Sequence, residues 1–376
     1  MIWTNHIRAA AAAMILVAGG APAAGRMIAK GDFGFVNLAD DATGAFTGFG
    51  SMPAINNAGA VAFNAFGADF ISGGVFKSED GTLTTIASSA DKEHSAFGDS
   101  VVINGDGVVG FSCKVATGSD SIIATGDGGP IHTIASANQQ GLIGGPFLGI
   151  SAMNSAGTAV FLALRRGSGT QAIFAGDGGP LTALIDTATN SNFDSLGNAA
   201  ITASGRIVFH AFLVDGTEGL FTGENGATDV ADTNNPDFGG FLDPVINNRG
   251  TVASAAFLNA GGMEVFTSSR NGLTARTDPA SLLFDFVDNV SINNSGDVAF
   301  FADLSTGEEG IFLEATGGDS PVPVIEVGDA LFDSIVTQVA VGRFSVNSRD
   351  QISFVYALAD GRSGIAIASP RHGEDR

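Results

Sequence analysis

The chain has 376 residues, and 39 Asp and Glu against 17 Lys and Arg give it a formal charge of −22. That field repels nucleic acid and anionic lipid and leaves cations or basic groups as the favoured company. Twenty-nine Phe beside one Trp and one Tyr argue against a glycan-stacking platform, which needs exposed rings with a polar handle.

The N-terminus reads as a signal peptide over residues 1–23. Arg8 supplies the positive charge, an apolar run extends from Ala9 to about Gly19, and Ala21-Pro22-Ala23 has the small-residue pattern a peptidase cuts. The run is too short for a membrane span, and no later stretch approaches that length. The expectation is an exported protein, periplasmic or extracellular, with no transmembrane segment. Residues 24–368 then form one domain, and the polar stretch 369–376 is a tail without a recognisable anchor.

From residue 54 onward one phrase recurs: AINNAGAVAFNA, VINGDGVVGFSC, AMNSAGTAVFLA, AITASGRIVFHA, VINNRGTVASAA, SINNSGDVAFFA, SVNSRDQISFVY. Aligned on the first Asn, the seven copies fall at Asn56, Asn104, Asn154, Thr202, Asn247, Asn293 and Asn347, at intervals of 48, 50, 48, 45, 46 and 54 residues. A fixed period of this size signals a solenoid or propeller. Within a unit, a Phe six positions before the apolar residue that precedes Asn, as in Phe97 and Ile103, lies on one face of a first strand. Asn-x-x-Gly is a type I turn with Gly where the backbone turns left-handed. A second strand alternates, as in Val109 and Phe111, and a third reads QAIF or EGLF before an acidic Gly turn such as GDGG. A fourth reads LTTIA or IHTIA.

Four short antiparallel strands per unit, seven units and no helical periodicity predict an all-β, seven-bladed β-propeller of four-stranded antiparallel blades. The last unit has three strands, and GRMIAKGD at 25–32 supplies a spare one, so the ring is expected to be closed by the N-terminal strand. The rival is an open β-solenoid. The repeat resembles the tandem NxxGxxAF repeat proteins, bacterial exported proteins described as "choice-of-anchor". The motif is intact from Asn56 to Phe63 and from Asn293 to Phe300, and blurred at Thr202, Ser254 and Asp350. That resemblance implies no activity and no functional residues.

Chemistry-bearing motifs are sparse. FGDS at 97–100 echoes a Gly-Asp-Ser nucleophile block, yet no Asp-x-x-His follows near the C-terminus. His94, His132 and His210 stand in three different units without ligand spacing, and the two GDGG segments lack the helix and Lys of a phosphate cradle. The single cysteine, Cys113, sits among apolar residues as a buried structural thiol.

The oxygen donors after the fourth strands are the remaining candidates. Asp32, Asp91, Asp278 and Asp329 are expected as a metal site, for Ca²⁺, near the axis mouth on the face of the variable loops. The resulting expectation is a monomeric binding or scaffolding module, not an enzyme. Its partner would be an unknown protein, a small molecule or a cell-surface ligand, and not nucleic acid. The alternative is a hydrolase or lyase with an acidic site at the channel mouth.

Overall fold

The computed structural model describes residues 32–67, 73–118, 120–143, 149–223, 228–270, 272–277, 284–318 and 320–371. The signal segment 1–23, the strand expected at 25–31, Asp278 and the tail from 372 lie outside these residues.

The fold is all-β, and among the described residues the one helical turn is the short 3-10 segment Ser89–Asp91. The second and fourth units show the repeat most completely. His94–Ile103, Val109–Val115, Ser121–Gly126 and His132–Ser136 form one four-stranded antiparallel sheet, and Phe193–Ile201, Ile207–Leu213, Glu218–Thr222 and Thr228–Asp232 form another. These curled sheets relate the chain to propeller- and solenoid-like folds. They are not seven separate four-stranded sheets. The fifth and sixth units merge into one nine-stranded sheet through a single residue pair, Met263 with Phe284, and several first strands are split in two.

The N-terminal strand is Phe33–Asp40, which starts where the expected strand ends. It pairs antiparallel with Ser363–Pro370, from Phe33 opposite Pro370 to Asp40 opposite Gly364.

Phenylalanine builds the core in a repeated way. Phe63 and Phe76, Phe161 and Phe174, Phe209 and Phe221, and Phe300 and Phe312 are direct cross-strand partners with ring centroids 5.7–5.9 Å apart. Such pairs are the unit of sheet stabilisation. In the fifth unit Ser254 replaces the Phe. Phe238 and Phe241 pack on Phe266 instead, and the Ser254 hydroxyl donates to the Leu242 carbonyl at 2.7 Å. Cys113 is fully buried, and burial, with the charge of Asp91, pushes its thiol up to about 12, as befits a structural thiol.

The turn Asn does more than build its turn. In the first unit the Asn56 side-chain carbonyl accepts from the Ala58 and Ala60 N–H groups, both at 3.0 Å, while its Nδ2 donates to the Asn104 carbonyl of the next unit at 3.0 Å. Asn247 reaches Asn293, Asn293 reaches Asn347, and Asn347 reaches the carbonyl of Asn56 at 3.0 Å. The last bond joins the seventh unit to the first. Ser345 adds a second link, its hydroxyl donating to the Pro53 carbonyl at 2.9 Å.

Candidate functional site

Each first strand loses its regular register three to six residues before the turn Asn. Pairing slips between Phe97 and Val101, between Leu196 and Ala199, and between Asp288 and Ser291. A bulge there frees side chains from the ladder and re-aims them. Four residues before the turn, the seven units carry Met52, Ser100, Ile150, Asn198, Asp243, Asn289 and Arg343, different in almost every copy. One residue before the turn they carry Ile55, Ile103, Met153, Ile201, Ile246, Ile292 and Val346, nearly uniform.

The varied set holds the reactive groups. Ser151 donates to the Asn198 side-chain carbonyl at 3.1 Å, and Asn198 in turn holds both oxygens of Asp243, through its backbone N–H at 3.2 Å and its Nδ2 at 2.7 Å. Nδ1 of His210 stands 3.9 Å from Asp243 Oδ1. On the other side of the ring, Nε2 meets Glu218 Oε1 at 2.9 Å, and that oxygen also accepts the Phe241 N–H at 2.7 Å. His210 and Glu218 are 12% and 17% exposed, whereas Asp243 is 30% exposed, so the carboxylate is the accessible member.

Two glycines keep the space. A Cβ on Gly197 would stand 3.0 Å from His210 Nδ1 and 3.2 Å from Asp243 Oδ1, and one on Gly240 would stand 3.0 Å from Glu218 Oε2.

Arg343 adds a positive charge beside the cluster. Its Nη2 donates to the Pro244 carbonyl at 2.5 Å, its guanidinium lies 5.7 Å from the Phe344 ring centroid, and its buried Nε has no hydrogen-bond partner among the described residues. Burial pushes its pKa down and the charge of Asp243 opposes this. The group nonetheless stays a cation, as guanidinium does throughout proteins. Arg343 and Phe344 border a small cavity with Met52, Ser100 and Ser151. Ser100 therefore does reach the axis, but no His side chain lines that cavity.

The expected metal residues are placed apart from this site. Asp91 caps the turn before the second unit, accepting from the Glu93 and His94 N–H groups and from the His94 ring at 3.0 Å. Burial acts upward on its carboxyl, and these bonds outweigh it and hold the group below its ordinary value. Asp329 caps its own turn by accepting from the Glu326 N–H, and it borders a cleft with Phe33 and Arg371, whose N–H bonds the Asp32 carbonyl. The structure thus places Asp329 on a cleft beside Phe33, the residue that follows Asp32, and leaves Asp91 elsewhere. None of the three lines the axial cavities. Among the described residues no group of three or more His, Cys, Asp or Glu side chains converges as a metal site.

Sequence reasoning missed His210, Glu218, Asp243 and Arg343. The signal for two of them was present: within an otherwise repetitive chain, the position four before the turn Asn is the one that refuses to repeat.

The chain belongs to a family of unknown function, DUF7453, whose profile matches residues 18–278. Comparison with curated proteins gives no match. Among solved structures, an oligogalacturonate lyase from Vibrio parahaemolyticus is similar at 11% identity and TM-score 0.57, covering 92% of this chain and 98% of that one. A puromycin-hydrolyzing peptidase from Mycobacterium tuberculosis matches at 11% identity and TM-score 0.58, over 90% of this chain and 54% of that one. Prolyl oligopeptidase B from Galerina marginata matches at 13% identity and TM-score 0.54, over 88% and 50%. This chain spans about half the length of the peptidases and nearly all of the lyase. At these identities the likeness shows the fold. The expectation of a non-enzymatic module is corrected to this extent: the three neighbours named are two peptidases and a lyase.

Proposed function

We propose that this DUF7453 member is a hydrolase or lyase acting at the charged end of the axis. The observation that carries the reading is His210 held between Glu218 and Asp243, with Gly197 and Gly240 letting the backbone pass close beside them. Nε2–H donates to Glu218, which leaves Nδ1 as the lone-pair nitrogen facing Asp243. Their separation of 3.9 Å is too long for a direct hydrogen bond but lets one water or hydroxyl bond both groups. Asp243, fixed by Asn198, takes one proton from the bridging water as its oxygen attacks the substrate, and His210 Nδ1 orients that water by accepting its other hydrogen. Arg343, a buried cation whose charge reaches Asp243, supplies fixed positive charge that favours negative charge developing on the substrate.

Activity on a panel of aryl esters, aryl glycosides, peptide anilides and uronate oligosaccharides tests this. His210→Ala and Asp243→Asn should each cost the active class about 100-fold or more in kcat/KM while the thermal midpoint stays within a few degrees. Turnover of no class, or turnover indifferent to both substitutions, overturns it.

The same reading takes the seven units as a closed seven-bladed ring. Its support is the pairing of Phe33–Asp40 with Ser363–Pro370 and the Asn347–Asn56 and Ser345–Pro53 bonds. Removing residues 24–40 should bare the edge of the last sheet and give a lower midpoint or edge-to-edge association. A truncated chain that matches the full one in both midpoint and size sinks the closed ring. Export, and kinship with the NxxGxxAF repeat proteins, rest on the sequence alone.

A further inference from the structure

On the other side of Phe344 lies a second cavity of about 220 Å³, to which all seven units contribute. Its wall is the uniform apolar set one residue before each turn. Ile103, Met153, Ile201 and Ile292 remain partly exposed there, an unusual state for side chains whose strands are otherwise core. Among the described residues no charged side chain lines it, although the chain carries a formal charge of −22. Its size exceeds the roughly 150 Å³ cavity that elsewhere admits benzene.

The rim carries amide donors beside the Ser155 hydroxyl, which both donates and accepts. The Asn57 side-chain carbonyl accepts the Ser348 N–H at 3.0 Å, that of Asn248 accepts the Ala203 N–H at 2.7 Å, and that of Asn294 accepts the Asn248 N–H at 3.0 Å. These bonds fix the amide orientation, so each Nδ2 remains a donor with no partner among the described residues. Three amide donors and one hydroxyl on a lining without charged side chains favour a neutral, hydrogen-bond-accepting ligand, because a full charge of either sign finds no counter-charge there.

We infer that this cavity is a binding site for a small uncharged molecule with an apolar body and a hydrogen-bond-accepting oxygen, such as an amide, ester or ketone. It is separate from the His210 cluster and stands or falls apart from it. Benzamide is a suitable probe, titrated into the full chain with methyl-labelled isoleucine and followed by NMR. The expected result is saturable shifts at Ile55, Ile103, Ile201, Ile246 and Ile292. Asn248→Ala with Asn294→Ala should weaken binding about five-fold or more, and benzylammonium should leave the same methyls unmoved. Ala203→Leu, at an exposed rim position, narrows the mouth without touching the core and should also weaken binding. Absence of saturable shifts, affinity indifferent to both kinds of substitution, or benzylammonium binding as well as benzamide overturns the inference.

Discussion

The two ends of the axis are built from the same seven strands and have opposite chemistry. One residue before the turn Asn, selection of side chains is uniform and gives an uncharged cavity. Three positions earlier the same strands leave register and carry Ser, Asn, Asp and Arg, beside His210 and Glu218. Repetition serves the joints between units, and departure from repetition marks where polar and charged side chains are placed. Turn and neighbour contacts constrain the first position in every unit. The bulge relaxes those constraints at the second.

That comparison predicts an asymmetry between substitutions at the two ends. Asp243→Asn should lose about 100-fold or more in turnover, whereas Ile201→Val at the uncharged end should leave turnover within two-fold, roughly, and cost about 1 kcal/mol of stability. Steady-state kinetics beside denaturant unfolding separates these, and equal effects on turnover would erase the distinction between the ends.

The turn Asn residues should behave as structural groups alone. Asn347→Ala removes bonds from Asn347 to Asn56 and Gln351 and strands a buried carbonyl, at a cost of about 2–3 kcal/mol. Asn56→Ala should cost a similar amount, and Thr202→Ala less, because Thr202 has only the intra-unit bond to the Arg206 N–H and a contact with Ser204. Urea midpoints at constant m-value check the ranking.

A smaller effect concerns Asp288, at the bulge of the sixth unit. Burial raises its pKa, against the opposing bond from the Asn289 N–H. A carboxyl whose folded value lies above its unfolded one favours the fold when protonated and costs stability once ionised. Asp288→Asn should therefore raise the thermal midpoint by about 1–2 °C at neutral pH and give no gain near pH 3, where both states hold the proton. A gain that persists in acid would refute the burial argument.

The smallest signal is expected from calcium. With Asp91 remote from the cleft that Asp329 borders, binding at any of these is weak. Calorimetric titration of the mature chain against one with Asp32, Asp91, Asp278 and Asp329 changed to Asn should show at most millimolar affinity, roughly. Micromolar binding lost in the variant would restore a joint site.

The four-strand order seen in the second and fourth units and the turns at Asn-x-x-Gly were legible in the sequence, since each follows from local period and turn chemistry; the cross-strand partners of the Phe residues were not. Nor was the His210 cluster. His210 and Asp243 lie in different units 33 residues apart, and only packing of one sheet on the next brings them together. The metal candidates were counted from the fourth strand, which is the edge of its sheet farthest from the first. A residue following it emerges at the periphery, so Asp91 could not join a ring at the axis.

The Asn347–Asn56 bond links residues 291 apart in the chain, whereas neighbouring turns such as Asn56 and Asn104 are 48 apart. By loop-closure entropy the long contact costs about 1.6 kcal/mol more to form than the short one. It also cannot form until every intervening unit has left the ribosome. Contacts between neighbours can accumulate as the chain emerges, but the joint between first and last units is a late event of high contact order. A nascent chain stopped short of its seventh unit therefore leaves the Pro53 and Asn56 carbonyls without the Ser345 and Asn347 donors they meet in the complete fold.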